Sequence, residues 1–424
     1  MKTLNRGARA SAGALFALVF GLVGCATPET GASSSGPTET STESSSEWDT
    51  STPIRIGGTL GLTGIYSGPS AAYKITFEYW ADKVNSSGGI DGRQVELLIY
   101  DDESTPTVAQ QLYQQLINVD DVDILLAPYT TAVGGAIFPI AERAGMLMVN
   151  PGFVSKELHL ESEYMVSVWP YQESEYSLPL FSYIDTLPEA DRPKTLAVLT
   201  AQNPFTLVVT SGVGEESGVR NYAAARGIEI VVDEEYDTTI TDYTSLVQRA
   251  KSADADMLIV AGLPNDSAAI ATTVAQLDYN PDIYCSCGSQ VTTLPNWPDV
   301  GTPGQNVFAT TAAFTTQGNA GFAELEEFLI PQLGITELPA YAGVALAAGQ
   351  VIEQAVSATL SLDSDVLRAY IGQNRFETAV GNISYNEDGT LTFAALLLQF
   401  QTMGNELIWP LDLQTNPAII PLRP

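Results

Sequence analysis

NSSGGIDGRQVELLIYDDES, residues 85–104, decides the fold. A helix-like run, 73–84, reaches Asn85 and stops. Gly88 and Gly89 supply the positive φ that a tight helix-to-strand connection needs. Ile90, Asp91 and Gly92 make a second turn, since Asp-Gly is a strong turn dipeptide. Residues 94–100 then read as a buried strand. Asp101, Asp102 and Glu103 fall at its carboxyl end, where open α/β sheets place ligands. Taken alone, the three acids read as a solvated loop after an ordinary αβ connection.

Outward from this stretch, short apolar strands alternate with helical segments, the pattern of a parallel sheet in an α/β fold. The first series predicts strands at 54–60, 94–100, 124–127 and 146–150, with helices at 71–84, 107–118 and 135–144. Thr76, Phe77, Trp80 and Val84 are spaced as a core-facing stripe. Trp169-Pro170 breaks the pattern. A second series predicts strands at 195–199, 228–234, 257–261 and 282–286, with helices at 206–226, 243–251 and 267–277. The tail adds helices at 341–360 and 364–373 and strands at 390–401 and 406–410, with turns at 386–389 and 404–405. Two similar series in succession predict two Rossmann-like lobes. A chain of this length is also too long for one ordinary core.

The amino-terminal segment sets the compartment. Lys2, Arg6 and Arg9 form a positive region, and residues 10–24 are apolar or small but too short for a comfortable membrane span. Leu22-Val23-Gly24-Cys25 resembles a bacterial lipobox, whose cysteine becomes the lipidated terminus after cleavage; the fit of these residues and the linker that follows favour lipidation over a plain secretory signal. Residues 26–53 are mostly Ser, Thr, Gly, Pro and Glu with no Lys or Arg, a composition that cannot bury a core. As a flexible coil this linker reaches roughly 30 Å. No later segment reads as transmembrane, and the apolar run 393–398 is strand-sized.

Acidic residues outnumber Lys plus Arg by 50 to 18, for a formal net charge of −32. Nucleic acid and anionic membrane surfaces are therefore poor partners. The acidity suits a saline habitat or is simply a solvated surface. Cys285 and Cys287 are the cysteines left beside Cys25. They read as a small, strained disulfide, as two buried thiols, or less readily as part of a soft metal site. No cofactor or metal motif is found.

The 85–104 stretch closely resembles the motif of the branched-chain amino-acid-binding family, the type I solute-binding proteins of ABC importers. Leu62-Thr63-Gly64 resembles that family's first ligand loop. Residues 127–131, Ala-Pro-Tyr-Thr-Thr, fall where it has a Gly-Pro and a serine or threonine pair. Residues 146–157, MLMVNPGFVSKE, match the loop after its fourth strand. Thr241-Asp242-Tyr243 and 381–391, GNISYNEDGTL, resemble two later motifs, the second with Tyr385 in place of Phe. The resemblance implies a type I periplasmic-binding-protein fold: two lobes, 54–168 plus 312–380 and 169–311 plus 381–424, joined by crossovers near 168–171, 308–312 and 378–381. It further implies a monomer that binds a small molecule, amino-acid-like, amide, urea-like or carboxylate. ABC permease and ATPase subunits would be its partners, and a lipid anchor at Cys25 would hold it outside the cytoplasmic membrane.

By the same resemblance, Thr131 takes the position that holds a ligand's carboxylate, with Thr130 and Tyr129 beside it. Capping a helix is the bland role for both threonines. The loop after the fourth strand usually offers a small residue and a threonine; here it has Phe153 and Val154. The acid that usually holds an ammonium aligns near Cys287, and Asp266 is the nearest acid, at a position suited to a helix cap. An unpaired ammonium in a closed cleft is costly, so a standard α-amino acid fits poorly. Tyr66, Ser67 and Phe205 complete the expected site. Catalysis is not expected: His159, in a polar loop, is the single histidine, and no nucleophile elbow, P-loop or metal spacing accompanies it. Ligand sensing for a membrane signalling protein is the alternative use of the same fold.

Overall fold

The computed structural model describes residues 48–422 except 170–171, 216, 289, 294–296, 315–317, 336, 387–390, 392–394 and 403. The signal segment, Cys25, most of the linker, part of the first crossover and much of the 386–394 stretch lie outside the described residues.

Buried parallel strands build the first sheet. The elements run β1 (Ile54–Leu60), α1 (Ser67–Ser86), β2 (Val95–Asp101), α2 (Pro106–Asn118), β3 (Ile124–Leu126), α3 (Thr131–Ala144), β4 (Met148–Asn150), α4 (Lys156–Glu161) and β5 (Met165–Ser167). Sheet order is β2-β1-β3-β4-β5, all parallel. Ile54 and Ile56 face α1, whereas Leu125 and Met148 face α2 and α3 on the other side. The acidic run is structural. Asp101 accepts from the Thr63 hydroxyl at 2.8 Å, and Asp102 accepts from the Thr59 hydroxyl at 2.7 Å. Burial pushes the Asp102 carboxyl up to about 6.

The second sheet follows with α5 (Leu178–Thr186), β6 (Thr195–Ala201), α6 (Pro204–Ser211), α7 (Val219–Ala225), β7 (Glu229–Tyr236), α8 (Thr244–Ser252), β8 (Met257–Ala261), α9 (Pro264–Gln276), β9 (Ile283–Ser286) and β10 (Phe308–Thr311). The chain then returns to the first sheet with α10 (Phe322–Leu333), α11 (Ala340–Thr359), α12 (Ser364–Gln373) and the hairpin β11 (Phe376–Thr378) and β12 (Gly381–Ile383). It ends in the second sheet with β13 (Leu396–Gln401) and β14 (Gly404–Trp409), giving the order β14-β13-β10-β9-β8-β6-β7. Only the β10–β13 and β13–β14 pairings in that sheet are antiparallel. Gly349 lets α11 lie against α1, since a Cβ there would meet the Trp80 ring at 2.4 Å.

Several sequence expectations change. The helix expected at 206–226 is two, because Gly212, Gly214 and Gly218 all take positive φ between them. The 378–381 segment is a hairpin turn, and the chain returns to the second sheet only after Ile383. His159 is buried in α4, with its Nδ1 2.5 Å from the Ser155 carbonyl oxygen, rather than in an open loop.

Candidate functional site

In each sheet the strand order reverses once, between β1 and β3 and between β6 and β8. Loops leaving such a switch point diverge to opposite faces and open a crevice at the carboxyl ends. The two crevices face one another across a cavity. The first lobe contributes Tyr129, Thr130, Thr131, Gly152, Phe153 and Val154. The second contributes Asn203, Phe205, Leu263, Pro264 and Gly288, and Trp169, Tyr176 and Tyr341 close the sides.

Backbone constraints hold this wall. Buried Asn150 accepts from the N–H groups of Gly152 and Phe153, both at 3.0 Å, and donates to the Phe153 carbonyl at 2.8 Å. Gly152 passes so close to Pro128 that a Cβ would lie 2.1 Å from its carbonyl oxygen. Gly134 leaves room for the Phe153 ring, which a Cβ would meet at 2.2 Å. The Thr131 hydroxyl donates to the Val154 carbonyl at 3.1 Å, tying the start of α3 to the loop after β4. Thr130 differs: its buried hydroxyl oxygen has no hydrogen-bond partner among the described residues.

The lining is aromatic and uncharged. Among the described residues, six of its side chains are Tyr, Trp or Phe, and none is Asp, Glu, Lys, Arg or His. Tyr129 and Tyr341 meet edge-to-face at 5.4 Å, as do Tyr176 and Phe205 at 5.2 Å. Burial first, and neighbouring tyrosines second, raise the Tyr129 hydroxyl well above its ordinary value, so it stays protonated. Three helices begin at the cavity: α3 after Thr130, α6 after Asn203 and α9 after Leu263. Helix starts present partial positive charge. The α3 start carries no side-chain cap.

Of the ten expected ligand residues, six line the cavity: Tyr129, Thr130, Thr131, Phe153, Val154 and Phe205. Tyr66 stacks edge-on behind Tyr129 at 5.7 Å, and Ser67 begins α1 away from the lining. Asp266 faces inward. Its carboxylate accepts from the hydroxyls of Tyr236 and Tyr243, each at 3.2 Å, and from the Leu263 N–H at 3.3 Å. Burial raises its pKa, and with both oxygens so engaged Asp266 is not among the residues lining the cavity. Cys287 is fully buried and disulfide-bonded to Cys285, and the next residue, Gly288, reaches the cavity instead. Trp169, Tyr176, Leu263 and Tyr341 were not anticipated. Helix starts at Pro264 and 340 were the available signals for the last two.

With this geometry in place, comparison with known proteins identifies the class. Residues 53–405 match the periplasmic binding protein family, and the chain belongs to it. It is similar to the leucine-, isoleucine-, valine-, threonine- and alanine-binding protein of Pseudomonas aeruginosa, 24% identical over 78% of this chain and 86% of that one. Two solved structures share the fold. The branched-chain amino acid transporter substrate binding protein LivJ of Streptococcus pneumoniae, in complex with isoleucine, gives a TM-score of 0.70 at 19% identity, over 84% of this chain and 99% of that one. A solute binding protein of an R. palustris ABC transporter, in complex with benzoate, gives 0.73 at 16% identity, over 87% and 97%. The protein is thus an extracytoplasmic solute-binding protein and not an enzyme. Among the described residues, no helix is long and apolar enough to cross a membrane.

Proposed function

We propose that this protein captures a small aromatic or apolar carboxylate between its lobes and hands it to an ABC permease and ATPase, tethered to the membrane by a lipidated Cys25. One observation carries the ligand class: a cavity lined, among the described residues, by six aromatic side chains and three helix starts and by no charged side chain. Helix starts and a free hydroxyl suit a carboxylate. An ammonium would be buried without a counter-charge. The benzoate-bound relative supports this reading, since its fold accommodates such a ligand. Tyr129 and Thr130 would hold the head, Phe153, Val154 and Phe205 the apolar body, and Thr131 would brace the wall through the Val154 carbonyl, with Tyr66, Ser67, Asp266 and Cys287 supporting from behind.

Thermal shift against benzoate, phenylalkanoates, their amides and the parent amino acids tests the ligand class. A ligand at 100 times its Kd adds about 2.7 kcal/mol to folding stability. Stabilisation by amino acids alone would reject the proposal. For the anchor, Cys25→Ser should abolish membrane retention in the native host; unchanged processing and retention would reject it.

A further inference from the structure

Glu173 is a buried carboxylate shared between the lobes. It belongs to the short turn 173–175, which is fixed to the second lobe: the Ser174 carbonyl accepts from the Gly218 N–H at 2.8 Å, and the Tyr176 carbonyl from the Thr310 hydroxyl at 2.7 Å. Its own side chain reaches the first lobe. Both carboxylate oxygens accept from the Lys156 N–H, at 3.2 and 3.1 Å, where α4 begins. Two residues before that N–H is Val154, and three residues after Glu173 is Tyr176; both line the cavity. The carboxylate thus joins the two walls of the site, and only 3% of Glu173 is exposed.

We infer that Glu173 is a positioning residue that couples closure of the lobes to uptake of a proton. The inference rests on the cleft being the site of capture. Separating the lobes would return the carboxyl to water, where it holds a proton weakly. In the closed molecule burial pushes it up to about 7, with Glu175 and Glu157 adding repulsion and the Lys156 N–H opposing. Around it, α4 carries Lys156, Glu157 and buried His159, and α6 carries no charged side chain. On α7, Arg220 is taken by Asp233 at 2.7 Å. The sign follows from the raised closed-state pKa. Closure is favoured below about pH 7 and weakens as the pH rises through that value.

Small-angle scattering of the ligand-free protein at pH 5.5 and 8.5 reads closure directly, so its failure is distinct from a wrong ligand class. Wild type should be more compact at pH 5.5, and Glu173→Gln, a permanently neutral isostere, compact at both. Lys156→Pro is the second variant. Proline is tolerated at a first helical position, and Ser155 already has the extended backbone a residue before proline adopts, φ −156° and ψ 110°. Losing the N–H should move the compaction midpoint to higher pH, by about one unit per tenfold change in proton affinity. A wild type insensitive to pH, or a Glu173→Gln variant that keeps the same pH response, would overturn the inference.

Discussion

At the residue scale the site turns on which of two neighbouring hydroxyls is free. Thr131 gives its proton to Val154, 23 residues away, and Thr130 gives its own to no described group. Thr130→Val should therefore weaken binding of benzoate about tenfold, the ~1–1.5 kcal/mol worth of one hydrogen bond, with little change in stability. Thr131→Val should do the reverse, lowering stability by about 1 kcal/mol because the Val154 carbonyl loses its donor. Calorimetry and urea unfolding on both variants separate the roles; equal affinity losses would contradict the assignment. The sequence placed the threonine pair at the cavity, where both residues line it. Its division of labour was not legible, because it depends on where a distant carbonyl lies. Asp266 was opaque for the same reason: the hydroxyls it satisfies, Tyr236 and Tyr243, sit 30 and 23 residues before it.

At the element scale, loops after β3, β4, β6, β8 and β9 form the site, and glycines decide how closely they approach. Gly152→Ala would drive a Cβ into the Pro128 carbonyl and should destabilise by about 1–3 kcal/mol. Gly135→Ala is the control. Its Cβ would have only Leu158 nearby, at 3.8 Å, and alanine favours the helix, so stability should hold or rise. Urea unfolding of the pair checks this, and equal losses would contradict it. Long periodic segments were legible: β1 and α12 fall where the pattern places them, and α11 shifts by one residue. Short elements were not. The three residues of β5 carry no measurable period, and α10 was not anticipated; it carries Pro331 and three Glu at 324, 326 and 327. The break inside 206–226 was readable from three glycines within seven residues.

At the scale of the whole molecule, the site exists only because two sheets present their switch points to each other, and that apposition has no local signature. Trp169, Tyr176 and Tyr341 come from outside the strand-to-helix loops that motif spacing identifies. Acidity also acts globally. Burial holds Asp102 up to about 6 and Glu173 up to about 7. Each raised carboxyl adds stability that is complete below its ordinary value and lost as pH rises through the raised one. Unfolding free energy should therefore fall between pH 5 and 8. Self-repulsion at a net charge of −32 acts in the same direction, and only that long-range part should be recovered in 1 M salt. Urea unfolding at both pH values checks this; a rise in stability toward pH 8 would contradict it. The most direct test of the central claim is calorimetry with matched pairs, phenylalanine against 3-phenylpropanoate and leucine against 4-methylpentanoate. An uncharged cavity predicts that each deaminated acid binds at least about 100-fold more tightly, ~2.7 kcal/mol. Tighter binding of the parent amino acids would contradict it.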